Sequence, residues 1–185
     1  MRSMAPNDDP YFMGLGPGGD GVAVPRYLRT KRNAQIRNRR MPKKDVETII
    51  KTIWKKKTFS DRERKKLGKD PKELPDFFFD YLKMEYGAQE VIAEISYNLL
   101  DSCKRYRYDA DIELFHKVMM GTLDDDVYYD QMKMLDNTKK AIAEFCTDPK
   151  GKPKKGKPSK PDLIKIVQEL FPYKDEKDIA ALKDA

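Results

Sequence analysis

The sequence predicts an all-α fold: a small helical-bundle domain with an extended basic N-terminal arm and a C-terminal helix pair. Three observations predict it. Apolar residues recur at i, i+3, i+4 and i+7 in several windows after residue 43. No alternating strand pattern competes with them. Gly, Pro and charged residues are gathered outside those windows, where no periodicity holds.

Residues 1–42 read as an extended Gly/Pro- and Arg-rich arm, since Gly, Pro, Asn and Asp recur through it. Residues 43–72 read as an amphipathic helix and a short capped helix. In the first, Pro42 suits the helix start and Val46, Ile49, Ile50, Ile53 and Trp54 share one stripe over residues 43–57. In the second, Ser60 and Glu63 stand in capping-box positions and Gly68 is the stop. Residues 73–147 form the helical body. Phe77, Phe78, Tyr81 and Leu82 make its first stripe, ended by Gly87; Val91, Ile92, Ile95, Leu99 and Leu100 mark a helix over 88–106. Ile112, Phe115 and Met119 mark a third ending near Gly121, and Val127 to Phe145 a fourth over 125–146. Residues 148–161 are a Lys/Gly/Pro linker, and 162–185 a helix pair opened by a capping box at Ser159 and Asp162.

Composition bounds the function. Charged residues are 37% of the chain and the hydrophobic set 39%, so a modest core serves long solvated or partner-bound segments. Two cysteines, Cys103 and Cys146, with no leader pattern and no apolar run near 18 residues, predict a soluble intracellular protein without disulfides. Charge is unevenly spread: net +12 over residues 1–72, −9 over 73–136 and +4 over 137–185. Nine Arg or Lys lie between Arg26 and Lys44 with no acid among them. Such an arm suits a negatively charged partner, whether DNA, RNA, an acidic membrane or an acidic protein polymer.

No motif supplies catalysis. Gly14, Gly16 and Gly19 have the G-x-G-x-x-G spacing, but Pro6 and Pro10 break the preceding strand, Pro17 interrupts the run and Pro25 blocks the following helix. His116 has no second histidine to make a metal pair. Cys103 and Cys146 sit where cysteines fill space. The acids at Asp109–Glu113 and Asp124–Asp126 fail the calcium-loop spacing, because the position needing Gly is Leu114 or Tyr129. Asp124, Asp125 and Asp126 suit the start of the fourth helix instead. Aromatic groups such as "DFFFDYL" fall on the acidic body, where packing is a better use than base stacking. The chain is therefore expected to be non-enzymatic, without metal or cofactor.

The stretch "LPDFFFDYLKMEYGAQEVIAEISYNLLDSCKRYRYDADIELFHKVMMGTL", residues 74–123, resembles a helical module of ciliary and flagellar axonemal proteins, some with EF-hand-like helix pairs. The resemblance implies a microtubule-associated structural protein of the axoneme, bound to tubulin of doublet microtubules or to other axonemal proteins, in the cytoplasm and cytoskeleton. A basic nucleic-acid-binding adaptor is the alternative. The final helix pair is similar in shape to an EF-hand remnant, with a connection, "PYKDEKD", too short for a calcium loop. On this reading the arm orders only on its acidic partner, and its glycines allow close passage along that surface. Arg26, Arg29, Lys31, Arg32, Arg37, Arg39 and Arg40, with Trp54 of the following helix, are the expected partner-binding residues.

Overall fold

Six α-helices and one two-stranded sheet make up the described part of this computed structural model, which covers residues 6–19, 21, 23–147 and 159–172. The chain divides between Asp125 and Asp126 into two compact units. The predominantly helical class predicted from periodicity is what the structure has.

Four helices build the core of the first unit: α1 (Lys43–Lys66), α2 (Leu74–Tyr86), α3 (Gln89–Arg105) and α4 (Ala110–Met119). Val46, Ile53, Phe78, Leu99, Ile112 and Phe115 are among their buried side chains. Three of the four stops are glycines. Gly68, Gly87 and Gly121 have φ of +66°, +71° and +67°, the left-handed conformation that ends a helix at low cost for glycine. Asp109 caps α4 by accepting from the amides of Asp111 and Ile112.

Helix α1 corrects the expected break near residue 57. It runs unbroken to Lys66, with Ser60 and Glu63 inside it. Its buried stripe continues past Trp54 through Lys57 and Asp61, two charged residues that apolar periodicity does not register. Lys57 is fully buried, its Nζ 2.6 Å from Asp61 Oδ2 and 2.8 Å from Asp125 Oδ2. Asp125 Oδ1 also accepts from the amide of Leu74, at 3.3 Å, so one carboxylate joins α1 to the start of α2. Helix α1 thus belongs to the packed body.

The arm is corrected too. Residues Tyr11–Leu15 form strand β1 and Arg32–Arg37 strand β2, paired antiparallel with Tyr11 opposite Arg37, Phe12 opposite Ile36 and Met13 opposite Gln35. The register slips between Met13 and Leu15. A Cβ on Gly14 would lie 2.3 Å from Thr30 Oγ1 and 2.7 Å from the Lys31 carbonyl, so the bulge requires glycine. Gly16 follows at φ +89°. The glycines permit close passage along the chain's own second strand, and they open no helix toward a phosphate.

In the second unit, α5 (Asp126–Phe145) lies against α6 (Lys160–Leu170). The capping box at Ser159 and Asp162 is formed, with Ser159 N donating to Asp162 Oδ2 at 2.9 Å. Ile166 is buried, whereas α5 buries no residue fully. The expected last helix and most of both the Lys/Gly/Pro linker and the "PYKDEKD" connection lie outside the described residues.

Candidate functional site

The ribbon of β1 and β2 is held by one face of α3. Glu94, Asn98, Asp101 and Arg105 recur at helical spacing, and Gln89 and Tyr97 flank them. Asn98 accepts from the Arg39 amide at 2.5 Å and donates to the Arg37 carbonyl at 2.9 Å. Asp101 accepts from the Asn7 amide at 2.6 Å, and Arg105 reaches the Asn7 carbonyl and, at 3.0 Å, Asp8 Oδ1. Tyr97 accepts from the Leu15 amide at 2.9 Å and donates to the Leu28 carbonyl at 3.3 Å; Gln89 donates to the carbonyls of Arg26 and Arg29, both at 3.0 Å. These side chains satisfy backbone groups that a short ribbon leaves unpaired.

Apolar anchors complete the attachment. Phe12, Val24, Tyr27, Leu28 and Ile36 are buried. Tyr27, in a 3-10 turn over Arg26–Leu28, packs edge-on against Phe78 at 5.5 Å and donates to the Met119 carbonyl at 3.1 Å. Burial pushes its phenol up to about 12. The expected arm is therefore part of the fold, and its ordering needs no partner.

The expected binding residues separate into two groups. Arg26 lies 4.1 Å over the Phe79 ring and 4.0 Å from Asp80; Arg29 donates to the Val24 carbonyl at 3.1 Å. Arg39 pairs with Glu94 at 2.7 Å and Arg40 with Asp8 at 3.1 Å. Lys31, Arg32 and Arg37 are exposed and make no ion pair among the described residues. Beside Arg32 and Arg37 on the outward ribbon face stand Tyr11, Met13 and Leu15, 47%, 57% and 44% exposed. Trp54 does not join them. It is 3% exposed and packs edge-on against Phe115 at 6.3 Å, so core packing accounts for it.

The remaining chemistry is internal. Cys103 is fully buried and its thiol is pushed up to about 12, so it stays protonated and unreactive near neutrality. Burial, with the Lys104 charge, lowers His116, which keeps it neutral there. Asp109 is engaged as a cap and, at 2.7 Å, by Lys43, while Asp125 is engaged by Lys57. Among the described residues no three His, Cys, Asp or Glu side chains are grouped to hold a metal, and no helix is long and apolar enough to cross a membrane.

No protein-family model matches the chain and no solved structure matches it. It is similar to Translin-associated factor X-interacting protein 1 of Mus musculus, 28% identical over 175 residues, and of Homo sapiens, 26% over 176. Each alignment takes in 95% of this chain, but only 22% and 24% of those proteins. The chain thus spans about a quarter of the length of the relatives it matches.

Proposed function

We propose that this chain is a non-catalytic adaptor whose outward ribbon face binds an acidic protein surface. The observation that carries the reading is the exposure of Arg32 and Arg37 on a ribbon whose other face is anchored to α3, with Lys31 exposed immediately before it. Those cations lose little entropy on binding, because the backbone that carries them is already ordered. The apolar neighbours Tyr11, Met13 and Leu15 add area that charge alone would not supply. Relatives named for interaction with another protein factor support a protein partner over a nucleic acid.

The finer reading, drawn from the axonemal resemblance of residues 74–123, is a structural protein of the ciliary axoneme that binds tubulin of doublet microtubules or a complex attached to them. Its compartment is then the axonemal cytoskeleton. Microtubule pelleting run beside DNA and RNA gel shifts, all at physiological salt, tests this. Pelleting without gel shift is the expected result. Gel shift without pelleting would turn the reading to the nucleic-acid adaptor, and neither would remove the polyanion from it.

A further inference from the structure

Helix α1 buries one side through Val46, Ile53 and Lys57. At 100° per residue, Lys44, Lys51, Lys55 and Arg62 fall together on the other side, and all four are exposed. The ion pairs of this helix use Lys43, Lys57 and Lys66, so the four make none among the described residues. Phe59 stands among them, 66% exposed, over a shallow hollow shared with Arg62, Lys65 and the ion-paired Glu63 and Lys66. A straight row of cations about 27 Å long results. It lies on a different element from the ribbon face and does not depend on that reading.

We infer that the outer stripe of α1 is a docking track for an extended acidic polypeptide segment. Its occupant is chosen by charge complementarity and by spacing. Successive cations are separated by steps of seven, four and seven residues, about 10.5, 6 and 10.5 Å along the axis. An extended chain advances about 3.3 Å per residue and sends alternate side chains to one face, so carboxylates about 6.6 Å apart on that face run along the whole stripe within reach of its long, flexible cations. Duplex DNA fits less well. Its phosphates wind around the duplex and leave a straight row, and the stripe holds one Arg and no Asn or Gln for reading base edges. Phe59 offers an apolar side chain of the segment a contact midway.

The test uses the full chain and a fluorescent oligoglutamate of about ten residues, the length that spans the stripe in extended form, followed by anisotropy at low salt. The variant Lys44→Gln/Lys51→Gln/Lys55→Gln/Arg62→Gln changes only exposed side chains, and circular dichroism checks its fold. Its affinity should fall at least about tenfold, because several exposed pairs act together. The control Lys83→Gln/Arg107→Gln/Lys133→Gln/Lys139→Gln removes the same charge from exposed positions outside both the stripe and the ribbon and should change affinity less than about twofold. Equal loss in both variants, no loss in the stripe variant, no binding by the parent chain, or tighter binding of a single-stranded oligothymidylate would each overturn the inference.

Discussion

Seven cations crowd the segment from Arg26 to Arg40, and ten stand among the 24 residues of α1, yet the two runs are handled in opposite ways. In the ribbon, Arg26, Arg29, Arg39 and Arg40 are turned back onto the protein, and the backbone between them is captured by α3. In α1 the backbone satisfies itself, so the cations are free to stand on the face opposite the core, and one of them, Lys57, is taken inside between two carboxylates. A basic run thus has no fate of its own. What decides it is whether a neighbouring element carries polar side chains aimed at the backbone.

Breaking the ribbon's apolar anchor should give the largest effect. Tyr27→Ala removes a ring buried against Phe78 and leaves the Met119 carbonyl without its donor; urea unfolding should show a loss of about 3–5 kcal/mol. Lys31→Ala, a few residues on, should stay within about 0.5 kcal/mol. On the α1 side, Lys57→Met strands the Asp61 and Asp125 carboxylates and should cost about 3 kcal/mol, whereas Lys55→Met on the outer stripe should be near neutral. Comparable losses for Lys57→Met and Lys55→Met would erase the distinction between the two sides of the helix.

Asn98→Ala sharpens the comparison at a single polar contact. It leaves the Arg39 amide and the Arg37 carbonyl unpaired and should cost about 1–3 kcal/mol, with amide exchange rising in β2 before it rises in α3. Smallest is a pH effect where the starts of α1 and α4 meet. The hydrogen bond from Lys43, with the amides of Ile112 and Asp111, holds the Asp109 carboxyl below its usual range despite some burial. A depressed folded value means that its contribution is complete above the ordinary carboxylate range and is lost as pH falls through the folded value. Asp109→Asn keeps a capping side chain but removes the titration, so the acid limb of the stability curve should become shallower, with little change at neutral pH. An unchanged acid limb would mean that the Lys43 contact contributes nothing to stability.

How much of this the residues disclose depends on whether burial coincides with apolarity. Helices α2 to α6 announce themselves by stripes and by stops such as Gly87 and Gly121, because their inward faces are hydrophobic. The second half of α1 does not, since its inward residues are Lys57 and Asp61. Strand β1 also escapes a periodic reading: Tyr11, Met13 and Leu15 point outward and are apolar, which cancels the alternation with Phe12. In β2 only Ile36 is fully buried. The receptor face of α3 carried one readable sign. Asn98 and Asp101 sit in the middle of a helix, where such residues have low intrinsic preference and need a tertiary partner when buried. Of the expected binding residues, position in the arm could not distinguish the inward-turned arginines from Lys31, Arg32 and Arg37, because the partners Phe79, Asp80, Glu94 and Asp8 lie elsewhere in the chain.

The central claim, that the outward ribbon face is the binding surface, is tested most directly by pelleting Lys31→Gln/Arg32→Gln/Arg37→Gln with microtubules at physiological salt. All three side chains are exposed and outside any ion pair among the described residues, so the fold and its unfolding midpoint should be unchanged. The account predicts a loss of binding of about tenfold, larger at low salt than at high. Full retention of binding by this variant, with binding lost instead in Arg39→Gln/Arg40→Gln, would contradict it.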